Sequence, residues 1–168
     1  AAAMLGTRGV SAESEGGANA WSEIGQAVAQ TPFVDTHEHL IEEKGRVEGK
    51  HRRLQSDDWS FILSHYIDSD LRSAGMTDEE MGRFKSSNVD PIAKWKVLEP
   101  YWPAVRNTGY GQAVEIAMRR LYDVNDLSAE TVPRIQKQYE VLIEPGFYKT
   151  VLCDVANIES CQVNCLSG

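Results

Sequence analysis

Apolar positions recur at helical spacing along most of the chain and at strand spacing in only two short stretches. Trp21, Ile24 and Val28 share one side of a helix predicted from Ala20 to about Gln30, with Asn19 as its cap. Thr31-Pro32 ends that helix, because a residue before proline avoids the helical region. Phe33-Val34 then opens an extended run, about residues 33–38, that reads as a buried strand. The charged stretch Ile41 to Gln55 contains Gly45 and Gly49 and reads as a mobile loop.

Helical signals return at residue 56. Ser56 or Asp57 is the candidate cap of a helix carrying Trp59, Ile62, Leu63 and Tyr66, in which His65 is a half-buried packing or capping group. Asp68-Ser69-Asp70 starts a further turn that Gly75 stops. Thr77-Asp78-Glu79-Glu80 has the spacing of a capping box. Asp90-Pro91 places a cap before a proline at the first helical position, with Ile92, Trp95 and Leu98 or Val97 as the buried face. Pro100 and Pro103 break that run. Trp95, Tyr101 and Trp102 are core side chains by this reading, with a sugar-binding wall as the alternative.

Gly109 to Tyr122 is predicted as an amphipathic helix with Val114, Met118 and Leu121 inward. Thr131-Val132-Pro133 starts a last helix through Ile135, Tyr139, Leu142 and Ile143, which Pro145-Gly146 stops. Tyr148 to Asp154, apolar at Val151-Leu152-Cys153, is predicted as a second strand over about residues 148–154. Residues 56–144 thus form a helical insertion between two strands, and the whole reads as a parallel β-α-β unit.

The candidate chemistry lies where the first strand ends, in Asp35-Thr36-His37-Glu38-His39. Side chains alternate along a strand, so His37 and His39 project from one side and can meet one metal ion at about 2.0–2.1 Å. Imidazole suits Zn, Fe, Ni or Cu alike. Asp35 and Glu38 are candidate partners that would fix the imidazole tautomers. The plainer alternative is two exposed histidines in a strand-end loop.

Pro32-Phe33-Val34-Asp35-Thr36-His37-Glu38-His39-Leu40 resembles the first strand of the amidohydrolase superfamily, where an apolar strand ends in Asp-x-His-x-His. Asn107-Thr108-Gly109-Tyr110, the helix through Leu121-Tyr122, and Leu127-Ser128-Ala129-Glu130-Thr131 resemble the segment after that strand in uronate isomerases and amidohydrolase-related proteins. The resemblance runs from about Thr31 to Val155. It implies an α/β fold: the N-terminal portion of a (β/α)8 TIM barrel, residues 19–168, with a helical insertion between strands 1 and 2. It also implies a divalent metal, most suitably zinc, with His37 and His39 as ligands and Tyr110 as a substrate contact. Arg106 can pair with a substrate carboxylate through its planar fork, or form a surface salt bridge.

The implied activity is metal-dependent hydrolysis of a small polar substrate. Isomerisation of a sugar acid and decarboxylation share this first strand. The family draws its other ligands from later strands, and a full barrel takes about 250 residues. At 168 residues the chain therefore reads as an N-terminal fragment, inactive alone. The competing class is a non-catalytic helical domain with a two-stranded element.

Composition narrows the partners further. The net charge is −8, and Lys50-His51-Arg52-Arg53 is too short a basic cluster for a nucleic-acid footprint. No run reaches the ~18 apolar residues of a membrane span. A small-molecule substrate is the expected partner, and the oligomeric state stays open. Residues 1–18 read as disordered or as a signal remnant, Val10-Ser11-Ala12 resembling a cleavage site. The first reading leaves the chain cytoplasmic; the second exports it. Of three cysteines, Cys153 reads as buried in strand two, and Cys161 and Cys165 carry no assigned chemistry.

Overall fold

The computed structural model describes residues 13–50 and 56–164. The segment 1–12, the basic residues at 51–53, Cys165 and the side chain of Trp21 lie outside what it describes, and with them the readings made there.

Capping and periodicity build a mostly helical body. The long first helix, α1 (Glu13–Gln30), leads into strand β1 (Phe33–Glu38) and a short α2 (Glu43–Val47). The last of these lies in the stretch expected to be a mobile loop. A 3-10 turn (Trp59–Leu63) follows, started by Asp58, whose carboxylate accepts from the Ser60 amide. Then come α3 (Ile67–Ser73) and α4 (Asp78–Lys85). Thr77 and Glu80 close the capping box of α4 as their spacing predicts. The short α5 (Trp95–Leu98) and α6 (Trp102–Val105) precede α7 (Gly109–Tyr122), which Thr108 caps through the Gly111 amide. The helix α8 (Val132–Leu142) completes the body.

These elements enclose one apolar core. Trp59, Leu63, Leu71, Phe84, Leu98, Met118, Val132 and Ile135 are fully buried. The Trp59 ring meets Phe84 edge-on at 5.9 Å, and its indole N–H donates to the Pro91 carbonyl. Trp95 and Trp102 are buried in the same core, and Tyr101 is half-buried with its hydroxyl on Glu80. Lys94 is also fully buried, its ammonium held at 2.5 Å by the Asp58 carboxylate. On α7, Gly111 lets the helix run against the α6 carboxyl end: a Cβ there would lie 2.1 Å from the Val105 carbonyl oxygen. His65, expected half-buried, is exposed and sits in the left-handed region at φ 63°.

The barrel expectation is overturned here. The described residues form a mostly helical body with a single sheet of two parallel strands, β1 and β2 (Ile158–Val163), and no (β/α)8 portion. Two physical reasons account for the error. The apolar run read as strand two instead winds into a π turn, Lys149–Val155, in which the Lys149 ammonium reaches the Asp154 carboxylate five residues on. A short apolar run does not by its pattern distinguish a strand from a helical turn. Cys153, placed in that strand and expected buried, is exposed on the turn.

The other reason is burial. Parallel strands in a barrel are covered on both faces. In β1, by contrast, Phe33 and Val34 are 51% and 64% exposed. Ile24 and Val28 on α1 are likewise exposed.

Candidate metal centre

The parallel register decides which side chains meet at the strand ends. Phe33 pairs with Ile158 and Glu38 with Val163, with irregular steps between Phe33 and Val34 and between Asp35 and Glu38. One rung further, the Asn164 amide donates to the Glu38 carbonyl at 2.7 Å. That rung seats Asn164 beside His37 and His39.

The two imidazoles converge. Their Nε2 atoms are 3.1 Å apart, with the rings edge-on at an interplanar angle of 84°. Both Nδ1 atoms face the same residue: His39 Nδ1 lies 3.0 Å from the Asn164 carbonyl, and His37 Nδ1 lies 2.8 Å from the Asn164 side-chain amide. Without an ion, one proton arrangement satisfies every contact. Asn164 Nδ2 donates to His37 Nδ1, His37 Nε2–H donates to His39 Nε2, and His39 Nδ1–H donates to the Asn164 carbonyl. For both Nε2 lone pairs to face a cation, His37 must carry its proton on Nδ1. Asn164 then accepts it after turning its amide to present Oδ1.

The spacing fits a shared ligand set. Two nitrogens at about 2.0–2.1 Å from one ion lie about 3.3 Å apart at a tetrahedral angle and about 2.9 Å apart at a right angle. The observed separation falls between these values. Among the described residues no group of three or more His, Cys, Asp or Glu side chains surrounds this point. The pair therefore fits as two donors of a site, leaving the remaining positions to water, substrate or other groups.

The carboxylates take other roles than expected. Asp35 accepts the backbone N–H of His37 at 3.0 Å rather than an imidazole proton, and that bond holds its carboxyl below the ordinary range. Burial lifts the Glu38 carboxyl above its ordinary range, and a hydrogen bond with Asp35 adds to the rise. The residue that orients the rings is Asn164, which the sequence reading missed. Its signal was hidden by the misplaced second strand: Ile158–Val163 carries Glu159, Ser160 and Gln162 and has little apolar alternation to mark it.

The two other candidate residues lie apart from the pair. Arg106 is bound to Glu115 through Nε and Nη2, at 3.1 and 2.8 Å, as a salt bridge on the α6–α7 side. Tyr110 is exposed on α7, stacks on Tyr66 at 5.4 Å, and borders an apolar cavity together with Leu40, the residue after His39. Cys161 in β2 is free and half-buried. No described helix is long and apolar enough to cross a membrane.

No family model, curated protein or solved structure matches the chain. The likeness to amidohydrolases rests on the motif residues alone.

Proposed function

We propose that the strand-end pair holds a divalent cation, zinc being best suited, and that it supplies two ligands of an amidohydrolase-like site for hydrolysis of a small polar substrate, whose remaining groups the described residues of this chain do not provide alone. The convergence of the two Nε2 atoms at 3.1 Å carries this reading. His37 and His39 would hold the ion, and Asn164 would fix both rings through their Nδ1 atoms. A bound divalent ion lowers the pKa of its water toward about 7 and polarises a substrate oxygen. Isomerisation of a sugar acid or decarboxylation would draw on the same two ligands. Tyr110 is carried into this proposal as a substrate contact on the resemblance alone; its ring stacks on Tyr66. Arg106 contributes its charge to Glu115 instead.

A second reading is a helical binding module without catalysis. It is favoured by the lack of a third metal-ligating side chain at the pair among the described residues. Elemental analysis after zinc loading and desalting decides whether the metal is there. The expected result is one zinc per chain in the wild type and none in His37→Ala/His39→Ala. Equal content near zero in both overturns the metal reading. Where the remaining groups are supplied, zinc-dependent cleavage of a small N-acyl amide, lost in the double variant, then separates hydrolysis from binding alone.

A further inference from the structure

Between α7, α8, the 3-10 turn and the π turn lies a cavity of about 380 Å³, near the lower end of the range that holds small organic ligands. Its wall is almost entirely apolar, with Phe61, Val114, Leu142, Ile143 and Val151 contributing, and Ala117 on α7 leaves room beside them. The charged residue on the wall, Arg46, is already satisfied. It binds Asp57 through Nε and Nη2 and donates to the Tyr139 hydroxyl at 2.6 Å, and Tyr139 in turn bonds Asp57. Its guanidinium lies 4.7 Å from the centre of the Phe61 ring and 5.1 Å from that of Phe147.

The cavity therefore presents no unbalanced charge, and a charged ligand would lose hydration there without a counter-ion. A buried phenol on the wall is open to the cavity. Tyr122 is 2% exposed and lines the cavity, and no hydrogen bond among the described residues engages its hydroxyl. Burial holds that phenol well above its ordinary pKa, so it stays a neutral donor. At the rim, the nearly parallel rings of Tyr66 and Tyr110 form an exposed aromatic lip.

We propose that this cavity is a binding site for an uncharged aromatic compound carrying one hydrogen-bond acceptor, seated among the apolar side chains and accepting from the Tyr122 hydroxyl. The proposal is independent of any metal at His37 and His39.

The probe is prodan, a neutral naphthalene with one ketone, titrated into the full chain by fluorescence. Saturable one-to-one binding with a blue-shifted emission is expected. Ala117→Phe, which fills the cavity, should weaken binding at least about tenfold. Tyr122→Phe removes only the hydroxyl and should weaken it about 2- to 12-fold, the span of a single neutral hydrogen bond. Circular dichroism establishes that each variant is folded. Absence of saturable binding to the wild type overturns the proposal, as does unchanged affinity in the folded variants. Should Ala117→Phe fail to fold, Tyr122→Phe decides alone, and equal affinity to the wild type counts against the site.

Discussion

The helical body and the two-stranded sheet are built on opposite terms. In the body, α3 to α8 bury their apolar faces against one another, and even a lysine is sequestered against an aspartate. In the sheet, Phe33, Val34 and Val163 remain exposed, and the strands are joined mainly by their backbone ladder. Yet the paired imidazoles sit on the sheet. Stability and candidate chemistry are thus carried by different regions, so substitutions in each should separate the two properties.

The largest effect is expected at Lys94. Replacing it with alanine leaves the Asp58 carboxylate buried without its counter-charge, and breaking such a pair costs about 3–5 kcal/mol. Urea unfolding measures the loss; a change under about 1 kcal/mol would show that the body does not depend on that pair. Zinc affinity should be affected only through the folded fraction.

Asn164→Ala probes the opposite region. It removes the side-chain partner of His37 Nδ1 and leaves the backbone carbonyl on His39. Loss of a group that orients a metal ligand typically lowers affinity about 10- to 100-fold. Zinc competition with a chromophoric chelator reads the change, while urea unfolding of the metal-free chain should move little. Unchanged zinc affinity would remove Asn164 from the site.

Gly111→Ala returns to the body. Its new methyl would meet the Val105 carbonyl at 2.1 Å, and the helix must shift to admit it. Overpacking of this kind costs about 1–3 kcal/mol. Thermal unfolding should show a clear drop, and an unchanged midpoint would mean that α6 and α7 give way freely.

The smallest effect is expected at Val34→Ser on the sheet. Val34 is 64% exposed, and substitutions at such positions usually fall within about 0.5 kcal/mol. A loss above 2 kcal/mol in urea would mean that the strand is covered after all, and the contrast between the regions would fail.

What the sequence made legible follows the same division. The helix Gly109–Tyr122 was readable end to end, because Thr108 supplies a cap and Val114, Met118 and Leu121 keep helical spacing. The capping box at Thr77 marked α4 for the same local reason. Strand β1 was readable from its β-branched and aromatic start, and the shared side of His37 and His39 from the period of two. Strand β2 was not, since Ile158–Val163 depends on its pairing partner rather than on its own residues. Val151 and Leu152 imitated a strand while lining the cavity from a π turn. The exposure of Phe33 and Val34 was equally hidden, because apolar composition does not say whether anything covers it.

The most direct test is nitrogen-15 NMR of the imidazole nitrogens of His37 and His39 during zinc titration. Metal-free protein should show His37 protonated on Nε2 and His39 on Nδ1. One equivalent of zinc should move both Nε2 resonances together and transfer the His37 proton to Nδ1. Nε2 resonances that stay in place, or a response from one ring alone, would contradict a cation shared between them.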